Sequence, residues 1–169
     1  MLYKAVGHSR AVSYARFHGR GELVTASVDA TVRRWRLDPQ SAADGNVLTP
    51  IAELRGHKNS KNFVGLSIHS TAQRGAVAKH ALVACGSEDG TAHIYNSGSE
   101  ATPPSTWRLT ASGRRDNDDM DREAACVGHQ QEFISSVCWQ PAEAAATAAG
   151  APLLAVASSD GDLRLLKLH

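Results

Sequence analysis

Internal repetition constrains this chain more than any other feature, because a unit that recurs must bury its apolar faces against copies of itself. Gly-His occurs at 7–8, 56–57 and 128–129. Each pair precedes an apolar segment: "AVSYARF" (11–17), "FVGLSIH" (63–69) and "FISSVCW" (133–139). Each segment leads to a small-residue run and an Asp-containing turn, in "LVTASVDATVRRW" (23–35), "LVACGSEDGTAHIY" (82–95) and "LAVASSDGDLRLL" (154–166). Val, Ile, Leu and aromatic residues alternate there with small polar ones, which is the period of a strand and not of a helix.

The expected fold is therefore all-β, a partial propeller of about three blades, each an antiparallel sheet of four short strands. The units are read at about 7–54, 56–110 and 128–169. The Gly-His pairs lie further apart than the ~40–45 residues of a four-stranded propeller repeat, and insertions account for the excess. Residues 70–80 lengthen one hairpin, 97–127 form an acidic inter-blade loop, and the Ala-rich 142–152 is another hairpin insertion. The start, "MLYKAV", reads as the outer strand of a preceding blade.

The Asp holds the tight turn between two strands. In the first unit His8, Asp29, Trp35 and a strand hydroxyl, Ser27 or Thr25, are expected to form a buried hydrogen-bonded network. Such a network stabilises only when every member is satisfied. The second unit keeps His57 and Asp89 with Tyr95 in the Trp place. The third has His129 and Asp160, with Leu166 there. These residues are structural on this reading, and the network weakens toward the C-terminus.

Other chemistry is set aside by type and spacing. A formal net charge of +1 gives no global field toward nucleic acid or an anionic membrane. Cys85, Cys126 and Cys138 are odd in number and lack C-x-x-C, against a disulfide framework or a zinc site. The eight His residues show no H-x-x-x-H spacing, and no G-x-S-x-G elbow accompanies Ser, His and Asp. No catalytic site, metal or cofactor is expected. The start has no apolar signal core, so the chain reads as intracellular and reducing. The acidic run 116–123 reads as a solvated loop, with a role toward a basic partner as the alternative.

"GHKNSKNFVGLSIHS" (56–70) departs from the other units. Its polar segment after the His is long and ends on Phe63, which is either core filler or presented to a partner. Together with "GHSRAVSYARF", "TASVDATVRRW", "VACGSEDG" and "FISSVCW", it makes the chain resemble the WD40 family. More narrowly, it resembles a plant light-signalling group: the constitutive photomorphogenesis ubiquitin ligase, the suppressor of phytochrome A proteins and the repressor of UV-B photomorphogenesis proteins. The acidic "DNDDMDRE" resembles a loop of the ligase. "NFVGLS" with "FISSVCW" is the specific part of the match.

The resemblance implies a seven-bladed ring whose top face docks Val-Pro-type peptides of transcription factors and photoreceptor tails, within nuclear ubiquitin-ligase signalling. It places peptide contacts at Arg10, where the ligase has Lys, and at Phe63. Ser60 stands where the ligase is acidic, and Lys61 and Asn62 lie between. The pocket residues of earlier blades, the RING finger and the coiled coil have no counterpart here. Trp35-Arg36-Leu37-Asp38 departs from the W-D-x-R box that joins some propellers to a cullin ligase. Two alternatives stay open: a non-catalytic UV-B-repressor-type propeller that binds a photoreceptor or the ligase, and a generic scaffold or truncated product. Three blades do not close a seven-bladed ring, so the isolated chain is expected to be poorly soluble or oligomeric.

Overall fold

Alternation within each strand sends successive side chains to opposite faces, and in this chain both faces of the central sheet are apolar. The computed structural model describes residues 3–19, 21–37, 42–43, 46–70, 81–96, 105–108, 132–141 and 151–168. No helix occurs among them. The first sheet runs in the order β2 (Val12–His18), β3 (Glu22–Ser27), β4 (Val32–Arg36) and β7 (Pro50–Leu54). The second joins β8 (Leu66–Ser70), β9 (Ala81–Gly86), β10 (Thr91–Asn96) and β11 (Ser105–Arg108). The third joins β12 (Ile134–Trp139), β13 (Leu153–Ser158) and β14 (Leu163–Lys167). Every pairing in these three sheets is antiparallel, and the molecule is a partial β-propeller.

The sheets pack face to face, with the second between the other two. Val83, Cys85 and Tyr95 meet Val24, Ala26 and Val32 of the first sheet. From the opposite face of the same strands, Ala84, Ala92 and Ile94 meet Ile134, Val137, Leu154 and Val156 of the third. Burial of these side chains is worth about 1.5–3 kcal/mol for each large aliphatic one, so the two inter-sheet layers dominate the energetics. The outer face of the third sheet stays open, with Leu163 69% and Leu165 68% exposed.

Two details differ from the reading of the sequence. Lys4–Ala5 (β1) pairs in parallel with Val47–Leu48 (β6), which pairs with Ala42–Ala43 (β5), so the start joins the first unit's own β4–β7 connection. The contact is carried by the main chain, with Lys4 N donating to Asn46 O at 2.9 Å and Val6 N to Leu48 O at 3.2 Å. Gly7 then crosses Trp35 so closely that an added Cβ would lie 2.4 Å from Arg33 Nη1 and 3.1 Å from Trp35 Cη2. The second difference is that Ser105–Arg108 pairs with β10, so the outer strand of the second sheet lies inside the segment read as acidic loop. The rest of that loop, residues 71–80 and residues 142–150 lie outside the described residues.

Candidate functional site

The same small motif closes the β3–β4, β9–β10 and β13–β14 hairpins: a Ser, one residue, then an Asp. Asp29 Oδ1 accepts from Thr31 N at 3.0 Å, Asp89 Oδ1 from Thr91 N at 3.3 Å and Asp160 Oδ1 from Asp162 N at 3.2 Å. The next residue is left-handed in each, with φ 60° at Ala30, 75° at Gly90 and 99° at Gly161. Glycine adopts this region without penalty and alanine does not. The turns therefore fix where the residues flanking each Asp point, and those residues build the site.

In the first unit the expected network is present, with Thr25 as its hub. Trp35 Nε1 donates to Thr25 Oγ1 at 2.8 Å, Thr25 Oγ1 meets His8 Nε2 at 2.7 Å, and His8 Nδ1 donates to Asp29 Oδ2 at 3.0 Å. The directions of the two end bonds follow because an indole only donates and a carboxylate only accepts. Ser27 is not the bridging hydroxyl: its Oγ donates to Ala11 O at 2.8 Å and accepts from Asp29 N at 3.1 Å, tying β2 to the turn. Burial opposes the charge on Asp29, but bonds from Thr31, His8 and Ser9 overcome it and hold the carboxyl well below the usual range.

The second unit is wired differently. His57 Nδ1 meets Tyr95 OH at 3.0 Å, while Asp89 keeps the Thr91 Oγ1 bond that Asp29 has with Thr31 and faces Lys58 Nζ in place of the histidine. Cys85 occupies the register place of Thr25, since Thr25 faces Arg33 and Cys85 faces His93 across their hairpins. Burial pushes the Cys85 thiol up to about 12. His57 Nε2 and His93 Nδ1 are buried with no hydrogen-bond partner among the described residues. Burial, reinforced by the neighbouring His93 ring, brings His57 down to about 4, and burial also lowers His93. In the third unit Asp160 is exposed and held by Ser158, while His129 lies outside the described residues.

The peptide contacts expected from the resemblance lie on and beside the 58–63 loop. Asn59 Nδ2 donates to Ser27 O at 3.2 Å, and Arg10 Nη1 donates to Val28 O at 3.2 Å. Consecutive carbonyls of one turn thus hold Arg10 and the loop side by side. Lys61 and Ser60 are exposed, and Asn62 is half-buried. Phe63 is 63% exposed, whereas Val64 beside it is fully buried. Val64 fills the core here, and Phe63 does not.

Glu88 was not singled out from the sequence, yet it organises this loop. Its Oε1 accepts from Lys61 N at 2.7 Å, Asn62 N at 2.8 Å and Asn62 Nδ2 at 3.2 Å, and its Oε2 accepts from Ser60 Oγ at 2.8 Å. Partial burial works against its charge, but these donations from Asn62, Ser60 and Lys61 prevail and bring the carboxyl down to about 2. The signal in the sequence was an acid directly before the turn Asp in the unit with the longest loop. Among the described residues no group of three or more His, Cys, Asp or Glu is placed to hold a metal.

Comparison with known proteins matches the WD40 family model, "WD domain, G-beta repeat", over residues 2–36 and 48–96. The chain is 34% identical to E3 ubiquitin-protein ligase COP1 of Pisum sativum over 96% of this chain and 19% of that protein. It is 30% identical to Protein SUPPRESSOR OF PHYA-105 1 of Arabidopsis thaliana, over 96% of this chain and 13% of that one. It is 32% identical to WD repeat-containing protein RUP2 of Arabidopsis thaliana, over 79% of this chain and 29% of that one. The chain thus spans less than a third of the length of these relatives.

Proposed function

Since this chain carries WD40 repeats and is similar to the COP1, SPA and RUP proteins, we propose that it is a peptide-docking propeller segment of a light-signalling ubiquitin-ligase system. Its WD40 segment is a non-catalytic interaction domain. The ligands are Val-Pro-type motifs of transcription factors or photoreceptor tails, and the place of action is the nucleus. The observation that carries the reading is Phe63, an exposed aromatic ring on a loop held rigid at both ends. Phe63 offers the apolar surface for the Val-Pro side chains. Arg10 and Lys61 supply charge for acidic residues flanking the motif, a charge-assisted contact. A small apolar anchor ringed by polar contacts concentrates binding energy in few residues.

The test is calorimetric titration of an acidic-flanked Val-Pro peptide into the full-length protein and its variants. Phe63→Ala and Arg10→Glu are each expected to weaken binding by about 10-fold or more. Unchanged affinity in both would remove the assignment. Ser60 favours a second reading, a non-catalytic RUP-type propeller that binds a photoreceptor or the ligase. Where the ligase is acidic, this hydroxyl is spent on Glu88, so the loop offers no free carboxylate of its own to a basic peptide residue. Co-purification separates the two: a RUP-type protein retains a photoreceptor and carries no ubiquitin transfer.

A further inference from the structure

The three units share one architecture but not one loop length, and the carboxylate that restrains the loop changes with it. In the first unit the loop after the histidine is short, and the turn Asp itself caps it: Asp29 Oδ2 accepts from Ser9 N at 3.0 Å. In the second unit Asp89 holds Thr91 as Asp29 holds Thr31, but its Oδ2 faces Lys58 Nζ at 3.8 Å and the Lys58 amide donates to Ser87 Oγ. The residue before it takes over, and that residue is Glu88. The corresponding places hold Val28 and Ser159, neither able to accept with a charged side chain.

We propose that Glu88 is the positioning residue of the Phe63 docking surface, acting through the backbone of the loop and not by touching a ligand. One carboxylate gathers four donors from three successive residues, 60 to 62. Its own backbone closes the ring, with Glu88 N donating to Lys58 O at 2.8 Å and Lys58 N donating to Ser87 Oγ at 2.8 Å. Asn62 is held twice, by main chain and by amide, while Val64 is sealed in the core. Phe63 stands between two fixed neighbours and is left with little freedom beyond its own side-chain torsions. An apolar anchor held in its bound conformation binds more tightly because less freedom is lost on docking. The inference rests on the docking reading for its function but on the loop geometry for its structure, and the two are tested apart.

The experiment compares wild type, Glu88→Ala and Glu88→Gln in the full-length protein by amide hydrogen exchange and by titration with an acidic-flanked Val-Pro peptide. Removing a charged acceptor from the Lys61 and Asn62 amides is expected to speed their exchange by about 10-fold or more, with strand amides of β3 and β9 unchanged. Glu88→Gln, which keeps a neutral acceptor, is expected to fall between. Peptide affinity is expected to drop in the same order. Phe63→Ala is expected to cost less in the Glu88→Ala background than in wild type, because both act on one element. Unaltered exchange at Lys61 and Asn62, or additive effects of the two substitutions, would overturn the proposal. A wild-type protein that binds no peptide defeats the docking reading, and the exchange comparison then decides the positioning claim by itself.

Discussion

Replacing Thr25 by Val removes one oxygen atom and changes little else in shape, so it isolates the hub of the first unit's network. Two partners lose their bonds at once: Trp35 Nε1, at 2.8 Å, and His8 Nε2, at 2.7 Å. Trp35 is 1% exposed, and the His8 side chain is almost as enclosed. Trp35 cannot turn to water without opening the Gly7 crossing, where an added Cβ would lie 3.1 Å from its ring. A buried polar group left unpaired costs about 1–3 kcal/mol, so two of them put the loss at about 2–6 kcal/mol. That is a large share of the ~5–15 kcal/mol typical of a domain. Urea denaturation followed by tryptophan fluorescence reads this as a lowered midpoint with unchanged slope. The double variant Thr25→Val, Trp35→Phe removes the stranded indole N–H and should fall short of the sum of the single losses by about 1 kcal/mol. A Thr25→Val loss below about 0.5 kcal/mol would refute the claim that this oxygen bridges the network.

Other outcomes follow from the same geometry. Ala30 occupies a left-handed place that Gly90 and Gly161 fill in the other two turns, so Ala30→Gly should raise stability by up to about 1 kcal/mol, the strain less the entropy of glycine, read as a higher urea midpoint. Stability should fall with acid in two windows. The folded His57 titrates near 4, and His93 and His18 are also lowered by burial, so the unfolded chain takes up protons first as pH drops below about 6.5. The expected slope is at most about 1.4 kcal/mol per pH unit for each histidine, and His57→Gln with His93→Gln should flatten it. Glu88 is lowered to about 2, so its contribution is present above pH ~4.5 and lost only as pH falls through that lower range. Phe17 is 76% exposed and Leu163 and Leu165 are nearly as open, so the isolated chain should sediment with rising mass as concentration increases. Leu163→Lys with Leu165→Glu should reduce that association, and monomeric behaviour of the unaltered chain at high concentration would contradict the expectation.

The sheets and their stacking were legible because strand alternation is a local pattern: Val83 and Cys85 against Ala84 and Ile94 already assign two faces. The turns were legible for the same reason, as an Asp that reaches two residues ahead needs no distant partner. What escaped was decided by contacts far apart in sequence. Thr25 and Ser27 lie on the same strand face, and only the position of Trp35 ten residues on selects Thr25 as the hub. Glu88 lies more than twenty residues from the loop it restrains, so the acid before the turn Asp is visible in the sequence but its partners are not. The short pattern of Lys4–Ala5 cannot name a partner, and only the fold pairs it with Val47–Leu48. Phe63 looked ambiguous in sequence because either it or Val64 can fill one core place, and the fold gives that place to Val64.

The most direct measurement is a chemical-shift map of the full-length protein on adding an acidic-flanked Val-Pro peptide, with the Val-Ala peptide as control. Shifts are expected at Arg10, at residues 58–63 and at Glu88, saturating with the Val-Pro peptide and absent with the control. Equal response to both peptides, or shifts that spare Phe63 and Asn62, would contradict it.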